Sequence, residues 1–453
     1  MFTTTSPAGC QADQALLAAL LAGERFWPAE PQSPRETGLA EPFLESLICK
    51  SLLARGTATG RHLASQLCLP HAVLEPFLER LRTQQIVVLS GSGPLNDYAY
   101  RLTEQGHQRA RAHRKECAYV GPAPVPLADY VISVEAQAIS DEVILRSDLE
   151  DAFHDISVDS SLLELLGPAV NSASGLFLYG APGNGKSTVA KRITDCFGQE
   201  IWLPHVFLDG QEIVKVYDPA FHEKVPSDHP VAGTPEQHDR RWCRVKRPTV
   251  VVGGELTMDS LEIRHDPVTN ISEAPLQLKS NCGCLLIDDF GRQRISPGEL
   301  LNRWIIPLEN RHDFLTLGSG KKIQVPFEQL VIFSTNLDPV ELVDEAFLRR
   351  IAYKIEVGDP SEAEFHRLFR LAAEETGCDP CPNAVDYLLE KHYRPNSRPL
   401  RRCHPRDLLR QLRHYCNFNE YPFELAPEYL DHIANSYFTA VRTLGANGVT
   451  SGP

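Results

Sequence analysis

Hydrophobic residues in the first quarter of the chain recur at helical spacing in three short segments. The segments are EPFLESLICKSLLARG, TATGRHLASQLCLP and HAVLEPFLERLRTQ. The next run, IVVLSGSGPLNDYAYRL, has two strand-like segments around a turn rich in Gly, Pro, Asn and Asp. A basic segment with helical character, LTEQGHQRARAHRKE, follows. The pattern predicts three helices, a β-hairpin and a fourth helix within residues 41–117.

The segments on either side of this region have less regular patterns. Residues 1–40 are rich in Thr, Ser and Pro, so we expect them to be partly disordered or loosely docked. The prolines at 122, 124 and 126 predict an extended linker over residues 118–149. Four helical patterns fill residues 359–445, and the tail 446–453 is expected to be disordered.

Short apolar runs that end on polar residues mark the region 150–358. They are Leu176–Tyr179, CLLIDD at 284–289 and LVIFSTN at 330–336. Continuous apolar runs of this length are typical of strands that are buried on both faces of a parallel sheet. The carboxyl ends of such strands meet at one edge, where ligands bind. We therefore expect an α/β domain whose site lies at these strand ends.

Composition describes an ordinary globular protein with two or three domains. The 453 residues are 42% hydrophobic and 23% charged, and the net charge of −14 argues against coating of nucleic acid through overall charge. We expect no membrane span and no signal peptide, because the apolar runs are short and the start lacks a basic segment. Twelve scattered cysteines fit a reducing compartment, so the expected location is cytoplasmic.

A cysteine pair leaves two interpretations open. Cys378 and Cys381 form a C-x-x-C, and Cys403 and His404 follow further along the chain. These four residues are chemically suited to zinc. The alternative, which we favour, is that Cys378 and Cys381 are simply loop cysteines near prolines and bind no metal.

The strongest chemical signal is the spacing G-x-x-x-x-G-K-[ST] after the first apolar strand. Glycines let the backbone curl so that successive N–H groups point inward at a phosphate. The lysine suits the β- and γ-phosphates, and the serine hydroxyl suits Mg²⁺. The candidate nucleotide-binding residues are Gly180, Ala181, Pro182, Gly183, Asn184, Gly185, Lys186 and Ser187.

Polar residues at the other strand ends complete the candidate site. Asp288 suits Mg²⁺ together with Ser187, and Asp289 is placed to orient or deprotonate an attacking water. Asn336 follows the next strand and is positioned to reach the γ-phosphate or the water. Three arginines are candidates for stabilising phosphoryl charge, and they are Arg349, Arg350 and Arg406.

Taken together, GAPGNGKS, LLIDD, FSTN, FLRR and HPRDLL occur in the order found in AAA+ ATPases, and the chain resembles that family over about residues 150–445. The resemblance implies ATP and Mg²⁺ as ligands and a P-loop α/β core with a C-terminal helical lid. It also implies Asn336 as sensor 1, Arg349 or Arg350 as the arginine finger, and Arg406 as the sensor-2 arginine. PRDLLRQLRHYC is similar to the lid helix of Holliday-junction branch-migration motors.

One residue departs from the usual pattern of the family. Most members have Asp-Glu in Walker B, whereas this chain has Asp288-Asp289. The second carboxylate is one methylene shorter, so slow turnover is expected. Because the finger usually comes from a neighbouring subunit, the resemblance implies a homo-oligomer, expected to be a hexameric ring.

A second resemblance concerns the segment FLTLGSGKKIQVP, which predicts a hairpin just before the sensor-1 strand. It is similar to the pre-sensor-1 β-hairpin of MoxR-like ATPases, sigma-54 activators and several DNA motors. This makes Lys321 and Lys322 candidate pore residues, with a solvated surface hairpin as the alternative. Tyr217 is a weaker pore candidate. The long separation of Lys186 and Asp288 predicts a β-rich insertion between the second strand and Walker B.

The N-terminal pattern over residues 41–117 resembles a winged helix, which leaves two kinds of partner open. Its third helix carries Glu75, Glu79, Arg80 and Arg82, so it is neutral. Basic residues after the hairpin are candidates for phosphate contacts, namely Arg101, Arg109, Arg111, Arg114 and Lys115. We favour a protein client that is remodelled, and DNA bound by the winged helix is the alternative.

Overall fold

The computed structural model describes residues 25–445, apart from 93–96, 155, 157, 199, 227–237 and 344. The predictions for the first 24 residues, the tail 446–453 and the tip of the N-terminal hairpin fall outside the described residues. No helix in this described part of the chain is long and apolar enough to cross a bilayer.

The N-terminal region contains the three helices, the two hairpin strands and the fourth helix in the predicted order, together with a short strand, β1, that the pattern does not predict. They are α1 (Glu41–Arg55), β1 (Thr57–Thr59), α2 (Gly60–Leu67), α3 (His71–Thr83), β2 (Val87–Ser92), β3 (Tyr98–Leu102) and α4 (Glu104–Glu116). Local chemistry sets several boundaries: Gly56 ends α1, and the Thr103 hydroxyl caps α4 by accepting a hydrogen bond from the Gly106 N–H. The strands form an antiparallel sheet of order β1-β3-β2.

The prediction of an extended linker over 118–149 is wrong. This stretch contains β4 (Val125–Pro126) and α5 (Leu127–Ala136), and β4 pairs in parallel with a strand formed by Val206–Asp209. Tyr130 of α5 is fully buried and stacks on Phe207 with ring centroids 5.3 Å apart. Prolines placed at the ends of an element are compatible with a packed strand and helix, and tertiary contacts decide the outcome here.

The helices and strands that follow cover residues 146–445. Between residues 146 and 273 they are α6 (Arg146–Ala152), α7 (Ser160–Asn171), β5 (Gly175–Tyr179), α8 (Lys186–Asp195), β6 (Glu200–Pro204), β7 (Val206–Asp209), β8 (Glu212–Lys215), β9 (Trp242–Lys246), β10 (Thr249–Val252), β11 (Arg264–Asp266) and β12 (Ile271–Glu273). Between residues 276 and 445 they are α9 (Leu276–Lys279), β13 (Cys284–Ile287), α10 (Pro297–Asn310), β14 (His312–Thr316), β15 (Lys322–Pro326), β16 (Leu330–Thr335), α11 (Pro339–Leu342), α12 (Glu345–Arg350), β17 (Tyr353–Glu356), α13 (Glu362–Thr376), α14 (Pro382–Leu388), α15 (His404–Asn419) and α16 (Pro427–Gly445).

The centre of the molecule is a five-stranded sheet of order β10-β13-β16-β5-β17, in which every pairing is parallel. β13 and β16 are buried along their whole length, as expected for strands covered on both faces. Helices α6–α8 pack on one face, and α10 and α12 pack on the other. The fold class is therefore α/β, with the carboxyl ends of all five strands at one edge.

A second group of strands forms what we call the β-rich module, made of β4, α5, β6–β9, β11 and β12. Its sheet has the order β11-β12-β8-β7-β4, and β6 pairs with β9 beside it. The prediction of an insertion between the second strand and Asp288 is wrong in its position. The second strand of the central sheet is β10, and β6–β9 come before it, while only β11 and β12 come after it.

The β-rich module also holds the N-terminal region and the hairpin β14–β15. Val206 and Ile213 of the module are buried in the core of the N-terminal region. Arg241 is buried, pairs with Asp239 at 2.8 Å, and donates hydrogen bonds to the carbonyls of Thr37 and Pro124, which flank that region. From the hairpin, Leu315 and Ile323 are buried in the core of the module. The segment 25–40 is docked too, since Trp27 packs edge-on against Trp202.

The C-terminal region is helical from α13 onward, and we call residues 361–445 the helical region. Its first helix begins with a capping box, because Ser361 and Glu364 exchange hydrogen bonds between side chain and backbone. Gly377 ends this helix in the left-handed conformation. The apolar faces of the four helices form one core of their own.

Candidate functional site

The phosphate loop lies between β5 and α8 and depends on its glycines. Gly183 and Gly185 have φ values of +85° and +82°, a region that favours glycine. At Gly180, an added Cβ would lie 2.7 Å from the carbonyl oxygen of Val357 in the chain that leaves β17. A side chain at position 180 would therefore clash with that carbonyl, and at positions 183 and 185 the positive φ would strain any other residue.

Lys186 is the first residue of α8 and points back into the loop. Its ammonium donates hydrogen bonds to the carbonyls of Gly180 and Ala181, at 2.9 and 3.0 Å, and to Asn336 Oδ1 at 2.6 Å. Burial lowers the pKa of Lys186, and the nearby Asp288 and Asp289 oppose that shift. The lysine and the candidate sensor from β16 thus lie in direct contact.

Ser187 on α8 and Asp288 directly after β13 bring two possible metal-ligand oxygens together. The Ser187 hydroxyl donates a hydrogen bond of 2.7 Å to Asp288 Oδ2. A hydroxyl and a carboxylate oxygen are hard ligands, and Mg²⁺ typically keeps only one or two protein carboxylates plus substrate phosphates. The donor set therefore fits the predicted metal.

Asp289 is held in an uncommon backbone conformation beside this pair. Its φ is +51°, which is rare for residues other than glycine. Asn336 Nδ2 donates to its Oδ1 at 3.2 Å, and Gln293 Nε2 donates to the carbonyls of Asp288 and Asp289. Phe290 is buried against Phe333, so the turn after β13 is anchored on both sides.

The three candidate arginines are in two different places. Arg406, near the start of α15, lines the same cleft as the phosphate loop. Arg349 and Arg350 lie at the end of α12, away from the cleft lining. Arg350 forms an ion pair of 2.6 Å with Glu309, whereas Arg349 is exposed and has no ion pair within the described part of the chain.

The phosphate loop, the Ser187–Asp288 pair, Asp289, Asn336 and Arg406 line one cleft of about 500 Å³ between the sheet and the helical region. Sequence reasoning missed its apolar walls, which are Ile156, Val158 and Leu162 on one side and Leu368, Leu371 and Ala372 on the other. Apolar walls with a few polar groups at one end are typical of small-molecule sites, and here they are suited to a base. The helical spacing of Leu368, Leu371 and Ala372 was visible, but it is equally typical of core.

The candidate zinc residues do not come together. Within the described residues, no group of three or more His, Cys, Asp or Glu side chains is arranged to hold a metal ion. Cys378 is buried and Cys381 is exposed. Cys403 instead contacts the phosphate loop, since its N–H donates to the Gly183 carbonyl at 2.9 Å.

The candidate pore residues make contacts within their own chain. Lys321 forms an ion pair of 2.6 Å with Asp209, and the Ser319 N–H donates to Glu212. Both acceptors lie in the β7–β8 turn region of the β-rich module. Lys322 is exposed, and Tyr217 packs against the rings of His205 and His222.

Comparison with known proteins adds a domain match and several distant structures. The model of the Domain of unknown function (DUF8689) matches residues 361–436, within the helical region. No curated protein matches the chain.

The chain is similar to a mutant of Thermotoga maritima RuvB at 12% identity and a TM-score of 0.36, covering 62% of this chain and 70% of that one. A second RuvB structure, described as a Holliday junction branch migration motor, gives 14% and 0.34, with 65% and 70% covered. NtrX from Brucella abortus gives 15% and 0.36, with 66% and 65% covered. Because these identities and TM-scores are low, we base the proposed function on the geometry of the cleft and its side chains.

Proposed function

We propose that this protein is an ATP-binding and ATP-hydrolysing AAA+ ATPase. The observation that supports this most is the convergence of the phosphate loop, the Ser187–Asp288 pair, Asp289 and Asn336 on one cleft that Arg406 closes from the helical region. A local motif occurs by chance more easily than this spatial assembly does. The reaction is phosphoryl transfer from ATP to water.

In this proposal each side chain has a separate task. The loop N–H groups and Lys186 bind the phosphates, and Ser187 and Asp288 hold Mg²⁺, which neutralises phosphate charge. Asp289 accepts a proton from the attacking water, and Asn336, in contact with both Lys186 and Asp289, orients that water. Catalysis comes from positioning and charge stabilisation.

We propose Arg349 as the arginine finger that acts on a neighbouring subunit. Arg350 is tied to Glu309 in its own chain, while Arg349 is exposed at the end of α12. An arginine contributed in trans stabilises the charge that develops on the phosphoryl group. The active form is then a homo-oligomer, which we propose to be a hexameric ring.

The N-terminal region, with four helices and a β1-β3-β2 sheet, supports its assignment as a winged helix. We propose that this region binds a protein client. Arg80 of α3 pairs with Glu41 and Glu45, and Arg82 pairs with Glu79. The face that would read DNA is therefore neutralised in cis. The proposed activity is remodelling of a protein, similar to that of MoxR-like chaperones.

Nucleotide binding and ATPase assays on the Lys186→Ala variant test the proposed enzyme. Loss of the ammonium should abolish hydrolysis and weaken ATP binding by at least about tenfold, because a charge-assisted contact to phosphate disappears. Lys191→Ala is the matched control, since Lys191 is exposed on the same helix and should behave as wild type. Equal hydrolysis by all three proteins would contradict the proposal.

A second candidate is a DNA-binding protein, and exposed basic residues on α4 favour it. Arg111, Arg114 and Lys115 are exposed, whereas Arg109 is paired with Glu45 at 2.9 Å and is structural. Fluorescence anisotropy with duplex DNA over a salt series tests this candidate. Salt-dependent binding that is lost in an Arg111→Ala, Arg114→Ala double variant would favour DNA over a protein client.

The shorter acid in Walker B also leaves room for a slow ATP-dependent switch. Turnover of the Asp289→Glu variant separates the two possibilities. A large gain in rate would favour a switch whose base is weakened, while a loss would mean that the site is built around aspartate.

A further inference from the structure

Asn184 stands at a position that the phosphate-loop motif leaves free, yet it is only 1% exposed. Its Nδ2 donates hydrogen bonds to Asp359 Oδ1 at 2.7 Å and to the Val357 carbonyl at 3.3 Å. Both acceptors follow β17. Buried amides are normally paired, and these bonds fix the middle of the loop against the last strand of the sheet.

The same side chain reaches the segment that leads into α15. Asn184 Oδ1 accepts a hydrogen bond from the Arg402 N–H at 3.4 Å, and the next N–H, of Cys403, donates to the Gly183 carbonyl at 2.9 Å. Two successive peptide groups of the helical region therefore contact two successive residues of the loop. This segment continues directly to Arg406, which lines the cleft.

Charged residues hold this junction from the outside. Arg401 pairs with Asp359, the acceptor of the Asn184 amide, and Arg402 pairs with Glu364 at 3.1 Å at the start of α13. Asp359 thus joins the loop, through Asn184, to the 401–403 segment, through Arg401. The phosphate loop, the chain after β17 and the helical region therefore meet at the Asp359 carboxylate and the Asn184 amide.

We propose that Asn184 is a positioning residue that couples the phosphate loop to the helical region, so that nucleotide on the loop fixes the 401–403 segment and with it Arg406. This inference rests on the proposed ATPase function. Asn184 acts through the loop and through Arg402, and it takes no part in the bond that breaks.

The test compares steady-state kinetics and hydrogen exchange of wild type with those of the Asn184→Ala variant. We expect KM for ATP to rise and kcat to fall, with kcat/KM reduced by about tenfold or more, because a buried hydrogen-bond network is lost. With saturating ADP, the variant should keep exchange protection in the loop, whereas the protection that wild type gains over residues 398–406 should disappear.

Asn281→Ala is the matched control. Asn281 is also 1% exposed and also makes three hydrogen bonds, to Tyr130, Pro326 and Glu328, but it lies outside the cleft. Its loss should lower thermal stability and leave KM unchanged. Stability alone therefore does not account for a change in KM that is specific to Asn184→Ala.

A charge exchange provides the rescue. Asn184→Asp places a second carboxylate against Asp359 and should be more damaging than Asn184→Ala, while Asn184→Asp combined with Asp359→Asn reverses the pair and should recover part of kcat/KM. The inference is overturned if wild type hydrolyses ATP and Asn184→Ala matches it in kinetics and in exchange over 398–406. If wild type neither binds nor hydrolyses ATP, the proposed function itself fails.

Discussion

Asp289 is the residue on which hydrolysis depends in this account. Its left-handed backbone turns the carboxylate toward Asn336, and the Gln293 side chain holds the following turn. The shorter side chain is thus accompanied by a backbone that departs from an ordinary strand end. Gln293, which is close in sequence, donates to the carbonyls of Asp288 and Asp289, and Phe290 packs against the distant Phe333, so local and tertiary contacts together hold this turn.

Replacing Asp289 by asparagine should separate binding from chemistry. The variant keeps the hydrogen-bonding shape but is unable to accept a proton, so kcat should fall by about 10²–10⁴-fold. Nucleotide affinity should stay within about twofold, because the phosphate contacts are untouched. Titration with a fluorescent ATP analogue and phosphate-release kinetics check both parts, and unchanged turnover would remove Asp289 from the proposed role.

Among the helices, strands and loops, those defined by contiguous residues were predictable from the sequence, whereas contacts between residues that are distant in the chain were not. The loop after β5 was predictable because its glycines, Lys186 and Ser187 are contiguous. The apolar strands β13 and β16 were predictable because they are buried on both faces. The docking of α5 was not predictable, because Tyr130 is buried by partners such as Phe207 that are distant in the chain. The contacts of Asn184 with Asp359 and Arg402 were hidden for the same reason.

The start of α15 should make the helical region sensitive to acid. Burial, followed by the nearby Arg401, lowers the pKa of His404 to about 4 from an ordinary 6.5, while Asp407 and Asp359 oppose the shift. Between these values the unfolded chain binds a proton that the folded chain does not, so stability falls as the pH drops through this window. The Nδ1 atom of His404 also lies 2.9 Å from the Tyr393 hydroxyl oxygen, within hydrogen-bond distance.

The His404→Gln variant should therefore lose less stability than wild type on acidification. Thermal melting at about pH 7.5 and about pH 5 measures the difference, since histidine titrates between them. His205, whose pKa burial lowers to about 4, keeps part of the acid sensitivity in both proteins. An equal or larger drop in the melting temperature of the variant would contradict the assignment.

At the scale of the whole molecule, the β-rich module connects the N-terminal region to the ATP site. It contacts the N-terminal region through Val206 and Ile213, which are buried in the core of that region. It contacts the hairpin β14–β15 through buried Leu315 and Ile323. That hairpin directly precedes β16, which carries Asn336 at its end. A client bound by the N-terminal region thus has a continuous packed path to the candidate sensor.

The buried Arg241–Asp239 pair joins the β-rich module to the segments that flank the N-terminal region, through the carbonyls of Thr37 and Pro124. Both Arg241 and Asp239 have side chains that are 3% exposed, so Arg241→Met leaves a buried charge and should cost about 3–5 kcal/mol of unfolding free energy. Adding Asp239→Asn should recover part of that loss, because the unpaired charge is removed. Denaturant unfolding measures both effects, and an Arg241→Met variant as stable as wild type would contradict a stabilising role for this ion pair.

In the proposed ring, ATP is hydrolysed at sites shared between neighbouring subunits. The most direct test is the ATPase rate against protein concentration for wild type, Lys186→Ala, Arg349→Ala and an equal mixture of the two variants, with Arg350→Ala as the control. Shared sites predict a specific activity that rises with assembly, Lys186→Ala and Arg349→Ala variants that are each inactive, and activity restored by mixing these two. A specific activity independent of concentration, with Arg349→Ala as active as wild type, would contradict it.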